Sequence, residues 1–382
     1  MEKSFEPAPI ESPSPSPQVR SHHWKRYARW TAALVLAVAL CVSYFLKDHI
    51  RTLQSLRRVP GTKAYVMDYY VDYHIDQIRA HGMNVDHVED SLIGVLFPDA
   101  IASVAVGLKG HFLDEKIETI PVDGEHCSTV FLRSPNGQVL FGRNLDYSHD
   151  ACLIVRVHHG DELKSIAVLD LHYLNLDRDD LEESSLFERI PLLFAPYYLQ
   201  DGMNQHGVAV ADMSVQGVKP PYDGRRPNIL HSTAMRLILD YAKNVDEAVE
   251  ILKQYNVHFV AETCHFMIAD AGGKSVVVEF VDGEAKVTPT KNTWQVCTND
   301  QIHGATEADC DANCERYRTA SDALATATSA ASMDDVMGVM KSVSKQDWTM
   351  WSSVYDLSTR KLRFAYRRHY DKPYDDSLVV AD

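Results

Sequence analysis

The segment Ser134-Pro135-Asn136-Gly137 constrains this chain more than any other local feature. It stands between two β-rich runs, Ser128 to Arg133 and Gln138 to Arg143. Asn-Gly in such a setting is the strongest short-range hairpin signal, because both central turn positions call for positive φ. Antiparallel pairing about the turn carries Arg143 and Asp146 back to the level of Cys127. A thiol, a guanidinium and a carboxylate then meet at one end of one hairpin. A neighbouring arginine favours thiolate over thiol and lowers a cysteine pKa from about 8.5. The aspartate can orient a base, but no histidine has an obvious place in this geometry. His126 is adjacent in sequence and, on a strand, points to the opposite face. Taken alone, these residues fit a half-buried structural cysteine beside a surface ion pair more readily than a reactive thiol.

Further strands are expected at 152–158, 164–170, 207–215, 264–270 and 275–281, with a second hairpin turn at Asp270-Ala271-Gly272-Gly273. Ser232 to Lys253 reads as one amphipathic helix and Thr319 to Val343 as an Ala-rich one. Thr349 to Arg367 reads as a closing hairpin about Asp356 to Thr359. From Leu53 to about Glu118 the pattern looks helical, and its aromatic set from Tyr65 to Tyr73 is read as core ahead of an acyl-pocket wall. Strand groups separated by paired helices point to an α+β layered fold. No internal repeat is present.

The N-terminal part has a different character. Residues 1–29 form a tail expected to be disordered, rich in proline and serine through position 23. Trp30 to Leu46 is an apolar run behind Lys25, Arg26 and Arg29. Seventeen residues at about 1.5 Å each approach the lower limit for a hydrocarbon core of roughly 30 Å. No small-residue cleavage site follows and Lys47 comes at once, so an uncleaved anchor is preferred over a signal peptide. Basic residues on the two sides nearly balance, and the expected orientation places the C-terminal part on the extracytoplasmic side.

Composition narrows the classes. With 382 residues, 45% hydrophobic and 24% charged, wholesale disorder and a multi-span membrane protein are excluded. A net charge of −15 argues against nucleic-acid binding. Seven cysteines is an odd number, so at least one stays unpaired within a monomer. Cys310 and Cys314 are candidates for a local disulfide in an exported domain, free thiols being the alternative. The pairs His22-His23 and His158-His159 come without HExxH or CxxC, so neither metal nor cofactor is expected.

The stretch Cys127-Ser128-Thr129, closing at Gly142-Arg143-Asn144-Leu145-Asp146-Tyr147, resembles the opening of the cysteine-type N-terminal-nucleophile (Ntn) hydrolases. Within that class it is similar to the linear amide C–N hydrolases: choloylglycine hydrolase, penicillin V acylase, acid ceramidase and N-acylethanolamine acid amidase. The arginine falls sixteen and the aspartate nineteen residues after the cysteine, as in that family. Asp201-Gly202-Met203-Asn204-Gln205-His206-Gly207-Val208 resembles the family's Gly-Met-Asn-Glu-x-Gly-Leu block. Cys297-Thr298-Asn299 resembles its Thr-Asn, and Glu315-Arg316-Tyr317 its later arginine-aromatic site. Cys264 to Asp270 and Trp351 to Asp356 look like its late strands, so the likeness covers about 127–368.

The resemblance implies a four-layer αββα sandwich over 127–382, preceded by the anchor at 30–46 and a helical prosegment at 47–126 that becomes a small subunit. It also implies a base. Self-cleavage between His126 and Cys127 frees an α-amino group of pKa near 7.7–8.0, which takes the thiol proton without a histidine. Asp146 would hold that ammonium, Arg143 would support thiolate and substrate carbonyl, and Asn299 Nδ2 would stabilise the oxyanion. Arg316 would orient the set, with Arg318 its rival, and Asn204 and Ser214 would line the substrate site. Ser214 stands where the choloylglycine branch has asparagine or tyrosine, which weakens bile-salt specificity. The prosegment carries no cysteine for the inter-subunit disulfide of the acid ceramidase branch, so a heterodimer of the two fragments would be held by packing. The implied activity is hydrolysis of a linear N-acyl amide, a small molecule, through a Cys127 thioester. An acyltransferase of the same fold and an unprocessed membrane-tethered binding protein are the alternatives.

Overall fold

The computed structural model describes Trp24 and residues 27–33, 46–96, 127–220, 222–259, 263–327 and 330–378. The chain divides into two units, 1–48 and 49–382. In the first, residues 27–33 are helical and exposed. No helix among the described residues is long and apolar enough to cross a membrane. Positions 34–45 of the expected anchor, the end of the prosegment and His126 lie outside the described residues.

The strands, in chain order, are β1 (Arg57–Arg58), β2 (Ala64–Tyr69), β3 (Ser128–Arg133), β4 (Val139–Asp146), β5 (Cys152–His159), β6 (Glu162–Asp170), β7 (Asp201–Asn204) and β8 (Val208–Ser214). They continue as β9 (Asn228–Leu230), β10 (Asn256–His258), β11 (Cys264–Asp270), β12 (Ser275–Val281) and β13 (Glu284–Pro289). The last are β14 (Trp294–Cys297), β15 (Thr349–Asp356), β16 (Lys361–Tyr366) and β17 (Tyr374–Ser377). The helices are α1 (Lys47–Gln54), α2 (Ile75–His81), α3 (Val88–Leu96), α4 (His231–Tyr241), α5 (Val245–Lys253), α6 (Glu307–Asn313), α7 (Glu315–Ala325) and α8 (Met333–Ser342).

Two sheets carry the fold. One has nine strands in the order β1-β2-β5-β6-β7-β8-β11-β12-β13, the other six in the order β14-β3-β4-β15-β16-β17. Alternation along each strand sends residues to two cores. Ala209, Ala211, Met213 and Met267 from the large sheet share a core with Phe141, Trp351 and Tyr355 from the small one, so the sheets face each other. Val208, Val210, Phe266 and Ile268 go to the opposite side, among Met235, Ile238 and Val249 of α4 and α5. Helices α7 and α8 cover the outer face of the small sheet through Tyr317, Leu324, Val336 and Met340. The result is helix, sheet, sheet, helix. Asp201 ties the sheets together: fully buried on β7, it accepts from Trp351 Nε1 (2.8 Å), Ser353 Oγ (3.1 Å) and Tyr355 Oη, all on β15.

Several expectations change in the structure. Residues 64–69 are a strand, not helix, and β2 pairs in parallel with β5 from Ala64↔Cys152 to Tyr69↔Val157. Tyr65, Met67 and Tyr69 recur at period two and bury on the helix-covered side of the large sheet, while Ala64 and Val66 face the inter-sheet core. Residues 47–96 are therefore mixed helix and strand, joined to the rest by backbone hydrogen bonds as well as by packing. The expected helix at 232–253 is two helices, because Asn244 caps α5 by accepting from Glu247 N (3.0 Å). The expected helix at 319–343 is likewise two, the second started by a capping box in which Ser332 and Asp335 each accept from the other's backbone. The first hairpin turn needs one positive φ, not two: Gly137 takes φ 88° while Asn136 does not. Pro135 suits the second position of an ordinary type I turn, which Gly137 then closes with its N–H on Ser134 O at 3.0 Å. Cys310 and Cys314 are free thiols.

Candidate active site

The hairpin register sets the site. Ser128 pairs with Asn144 and Thr129 with Arg143, so Cys127, immediately before β3, lies level with the end of β4. Gly142 allows the outer helix to come close: a Cβ there would stand 2.9 Å from Met340 Sδ, Val130 Cγ2 and Val336 Cγ1. On the other side of β3, β14 pairs antiparallel, with Cys297 opposite Thr129. That pairing delivers Asn299 to Cys127, whose backbone nitrogen donates to Asn299 Oδ1 at 2.7 Å. This nitrogen is a peptide N–H.

Arg316, in the first turn of α7, gathers the pieces. Its Nη1 donates to Cys127 O (2.5 Å) and Ser128 Oγ (2.9 Å), and its Nη2 to Asn299 Oδ1 (2.9 Å). The same Nη1 is 3.8 Å from Asp146 Oδ2. Arg318, two residues on, is exposed, so Arg316 is the arginine at the site. Asn299 Nδ2 reaches across to the large sheet, donating to Ser214 O at 2.9 Å. Ser214 thus contributes its carbonyl at the end of β8. Asn204 lies elsewhere. Its Nδ2 donates to Ala242 O and its Oδ1 accepts from the His206 and Val208 N–H groups, which closes the β7–β8 turn. That turn is at the far end of β8 from Ser214, about 20 Å away at the usual rise per strand residue.

The charges are held under burial. Arg143 is fully buried; burial lowers its pKa, and Cys127, Asp212 and Asp201 more than offset this, so the net shift is upward. Nη1 donates to Asn144 O at 2.7 Å and the Cys127 side chain is a further partner of the guanidinium, while Nε and Nη2 have no hydrogen bond among the described residues. Asp212 Oδ1 stands 3.7 Å from Nη2, an ion pair beyond hydrogen-bond reach. The Nε and Nη2 donors of a buried guanidinium are therefore uncommitted to any other hydrogen bond among the described residues. Asp146 is also fully buried. Burial pushes its carboxyl up to about 6, against the pull of Thr349, Arg316 and Arg143. Its Oδ1 accepts from Thr349 Oγ1 at 2.5 Å, while Oδ2 has no hydrogen-bond partner among the described residues.

A buried pair behind Asn299 fixes its loop. His265 Nδ1 lies 3.0 Å from Glu279 Oε1, and its Nε2 lies 2.7 Å from Thr298 O. Glu279 also accepts from the Ile302 N–H (2.9 Å) and the His303 N–H (2.5 Å). Burial raises the Glu279 pKa, but His265 and these two N–H groups outweigh it and hold the carboxyl low. Sequence reasoning missed Glu279, His265, Thr349, Asp201 and Asp212. Most of their contacts join residues far apart in the chain, and the only local signal, absent for Thr349, was an acidic or histidine residue on a strand.

A cysteine at the head of a central strand between two facing sheets, ringed by arginine, aspartate and asparagine, has the layout of a cysteine-type Ntn enzyme. Comparison with known proteins agrees. The family model described as acyl-coenzyme A:6-aminopenicillanic acid acyl-transferase matches residues 183–369, which include Ser214, Asn299 and Arg316. Penicillin V acylase of Pectobacterium atrosepticum is 29% identical over 113 residues, 26% of this chain and 29% of that protein. The bile salt hydrolase/transferase of Clostridium perfringens is 27% identical over 186 residues, 45% of this chain and 53% of that protein. The matches thus span less than a third and about half of these two relatives. Among solved structures, penicillin V acylase from Agrobacterium tumefaciens aligns with TM-score 0.46 and 20% identity, over 65% of this chain and 84% of that one. A variant of the conjugated bile acid hydrolase from Clostridium perfringens aligns with TM-score 0.48 and 15% identity, over 66% and 92%. The family model and the curated relatives support a likeness to the Ntn linear amide hydrolase family that includes penicillin acylase and choloylglycine hydrolase.

Proposed function

We propose that the protein is a self-processing cysteine amidase that hydrolyses a linear N-acyl amide through a thioester on Cys127. The observation that carries this reading is the ring around Cys127: its nitrogen on Asn299 Oδ1, its carbonyl on Arg316, and the partly idle guanidinium of Arg143. In the processing step the Cys127 thiol attacks the His126 carbonyl, the His126–Cys127 C–N bond breaks, and the nitrogen leaves as an amine. Water then hydrolyses the thioester, leaving a carboxylate at His126 and a free thiol. The new ammonium would give the orphaned Oδ2 of Asp146 its missing partner. Residues 47–126 and 127–382 would stay together as a heterodimer, because β2 is paired with β5.

In turnover the α-amine takes the thiol proton and the thiolate attacks the amide carbonyl. Arg143 and Asn299 Nδ2 face the developing oxyanion, a stabilisation typically worth about 3–4 kcal/mol. The amine product departs with the proton from the α-ammonium, and water resolves the thioester with the α-amine as base. A hydrophobic acyl group suits an enzyme tethered through residues 30–46, with 127–382 on the extracytoplasmic side. A second reading, transfer of the acyl group to an amine, is favoured by the family model's description as an acyl-transferase and by the hydrolase/transferase relative.

The processed protein should cleave members of an acyl-amide panel and, in an acid quench, carry the acyl mass on the fragment that begins at Cys127. Added amine acceptors that divert product from free acid to new amide would make transfer the main activity. Turnover with no acyl mass on that fragment, under conditions where acylation is not rate-limiting, would rule the thioester out.

A further inference from the structure

Beside Arg143, outside the ring around Cys127, three side chains of metal-binding type converge. Asp212 is on β8, Cys264 begins β11 and His231 begins α4. Phe266 pairs with Asp212 and Ser214 with Cys264, so Asp212 and Cys264 are diagonal neighbours on adjacent strands. Their carboxylate oxygen and sulfur and one imidazole nitrogen of His231 all lie within 4.8 Å of one another, and His231 Nε2 is 3.5 Å from Asp212 Oδ2. The site is built on rigid parts. Asp212 and Cys264 are 6% and 7% exposed, and Phe259 stacks on the His231 ring at 5.4 Å between centroids.

We propose that Asp212, His231 and Cys264 form a binding site for a borderline-soft divalent cation, Zn2+ by its ligand chemistry, that is coupled to the active site through Asp212. Thiolate, imidazole and carboxylate together select zinc over magnesium or calcium, which take oxygen ligands. Bonds of about 2.0–2.3 Å in a tetrahedron set ligand atoms about 3.5 Å apart, so the three need to close by roughly an ångström. The two negative ligands balance the cation's charge, and a water or other small donor fills the fourth position. Asp212 is the link: Oδ2 faces His231 and Oδ1 faces Arg143 Nη2. A cation drawing on Oδ2 withdraws charge from Arg143 and lowers turnover. The proposal goes beyond the amidase reading, and its binding arm measures no activity, so the two fail separately.

The test is zinc titration of the purified full chain against a colorimetric chelator, in a Cys127→Ala background so that the nucleophile cannot contribute. One equivalent should bind, with one Zn–S distance near 2.3 Å by X-ray absorption. His231→Gln and Cys264→Ser, each checked for folding by thermal melting, should weaken binding at least tenfold. Binding unchanged in either folded variant, or a bound ion without sulfur, overturns the site. In the active enzyme, zinc should inhibit at the concentration at which it binds, and His231→Gln should shift that inhibition by the same factor. Inhibition unmoved by His231→Gln would place it elsewhere and overturn the coupling.

Discussion

Two arginines among the described residues are fully buried, and they are used differently. Arg236, on α4, forks onto Asp240 with Nε at 3.1 Å and Nη2 at 2.7 Å, and Nη2 also donates to Ser165 Oγ at 2.8 Å. Tyr73 Oη donates to the same carboxylate at 2.8 Å. Arg143, between the sheets, donates to the carbonyl of the next residue, has the Cys127 side chain as a further partner, and has a carboxylate 3.7 Å away. The first is a bolt between helix and sheet, with Nε and Nη2 committed and only Nη1 without a partner among the described residues. The second keeps charge and donors in reserve where Cys127 stands. Burial and residue type are the same in both; what separates structure from chemistry is how many donors are already committed and what stands beside the rest.

Substitution can break this comparison. Arg236→Gln leaves Asp240 buried with an incomplete set of partners and should cost about 3–5 kcal/mol, read as a lower urea midpoint, with turnover per folded molecule nearly unchanged. Arg143→Gln should do the reverse: turnover down about 100- to 1,000-fold, a loss of about 3–4 kcal/mol of transition-state stabilisation, with a much smaller change in midpoint. Equal losses of stability in both variants would show that Arg143 is a second bolt.

A smaller effect sharpens the same contrast through Asp146. In the uncut chain its folded pKa is raised to about 6 by burial, so the folded state holds the proton more tightly than the unfolded state does. Stability should therefore fall as pH rises from about 4 through 6 and level off above. The total drop is about 3 kcal/mol from the roughly two-unit shift. Denaturation of Cys127→Ala across this range checks the slope, and adding Asp146→Asn should flatten it. The processed wild type, with an ammonium beside Asp146, should show a shallower fall. The same slope in cut and uncut proteins would separate Asp146 from the new terminus.

Much of the small sheet was legible locally. The Pro135-Asn136-Gly137 turn, the β runs beside it and the spacing from Cys127 to Arg143 and Asp146 all sit within twenty residues, so pairing follows from the turn itself. Asn299 was reached only through resemblance. The strand that leads to it, β14, has four residues and too little pattern to be read, and its place beside β3 is a long-range choice. The misread strand β2 has a related cause. A strand buried on both faces shows an almost continuous apolar run, and Tyr65, Met67, Tyr69 and Tyr73 satisfy helical spacing nearly as well as period two. Asn204 is the opposite lesson: it sits in a family-like block, yet its side chain is fully occupied in holding a turn. The supports Glu279, His265 and Asp212 act across tens of residues of chain, where no local pattern marks them.

Everything turns on whether Cys127 becomes an N-terminus. Intact mass and N-terminal sequencing of the purified wild type should find a fragment that begins Cys127-Ser128-Thr129, and Cys127→Ala should yield only the uncut chain. A wild-type chain that remains whole while hydrolysing amides at full rate would contradict the account.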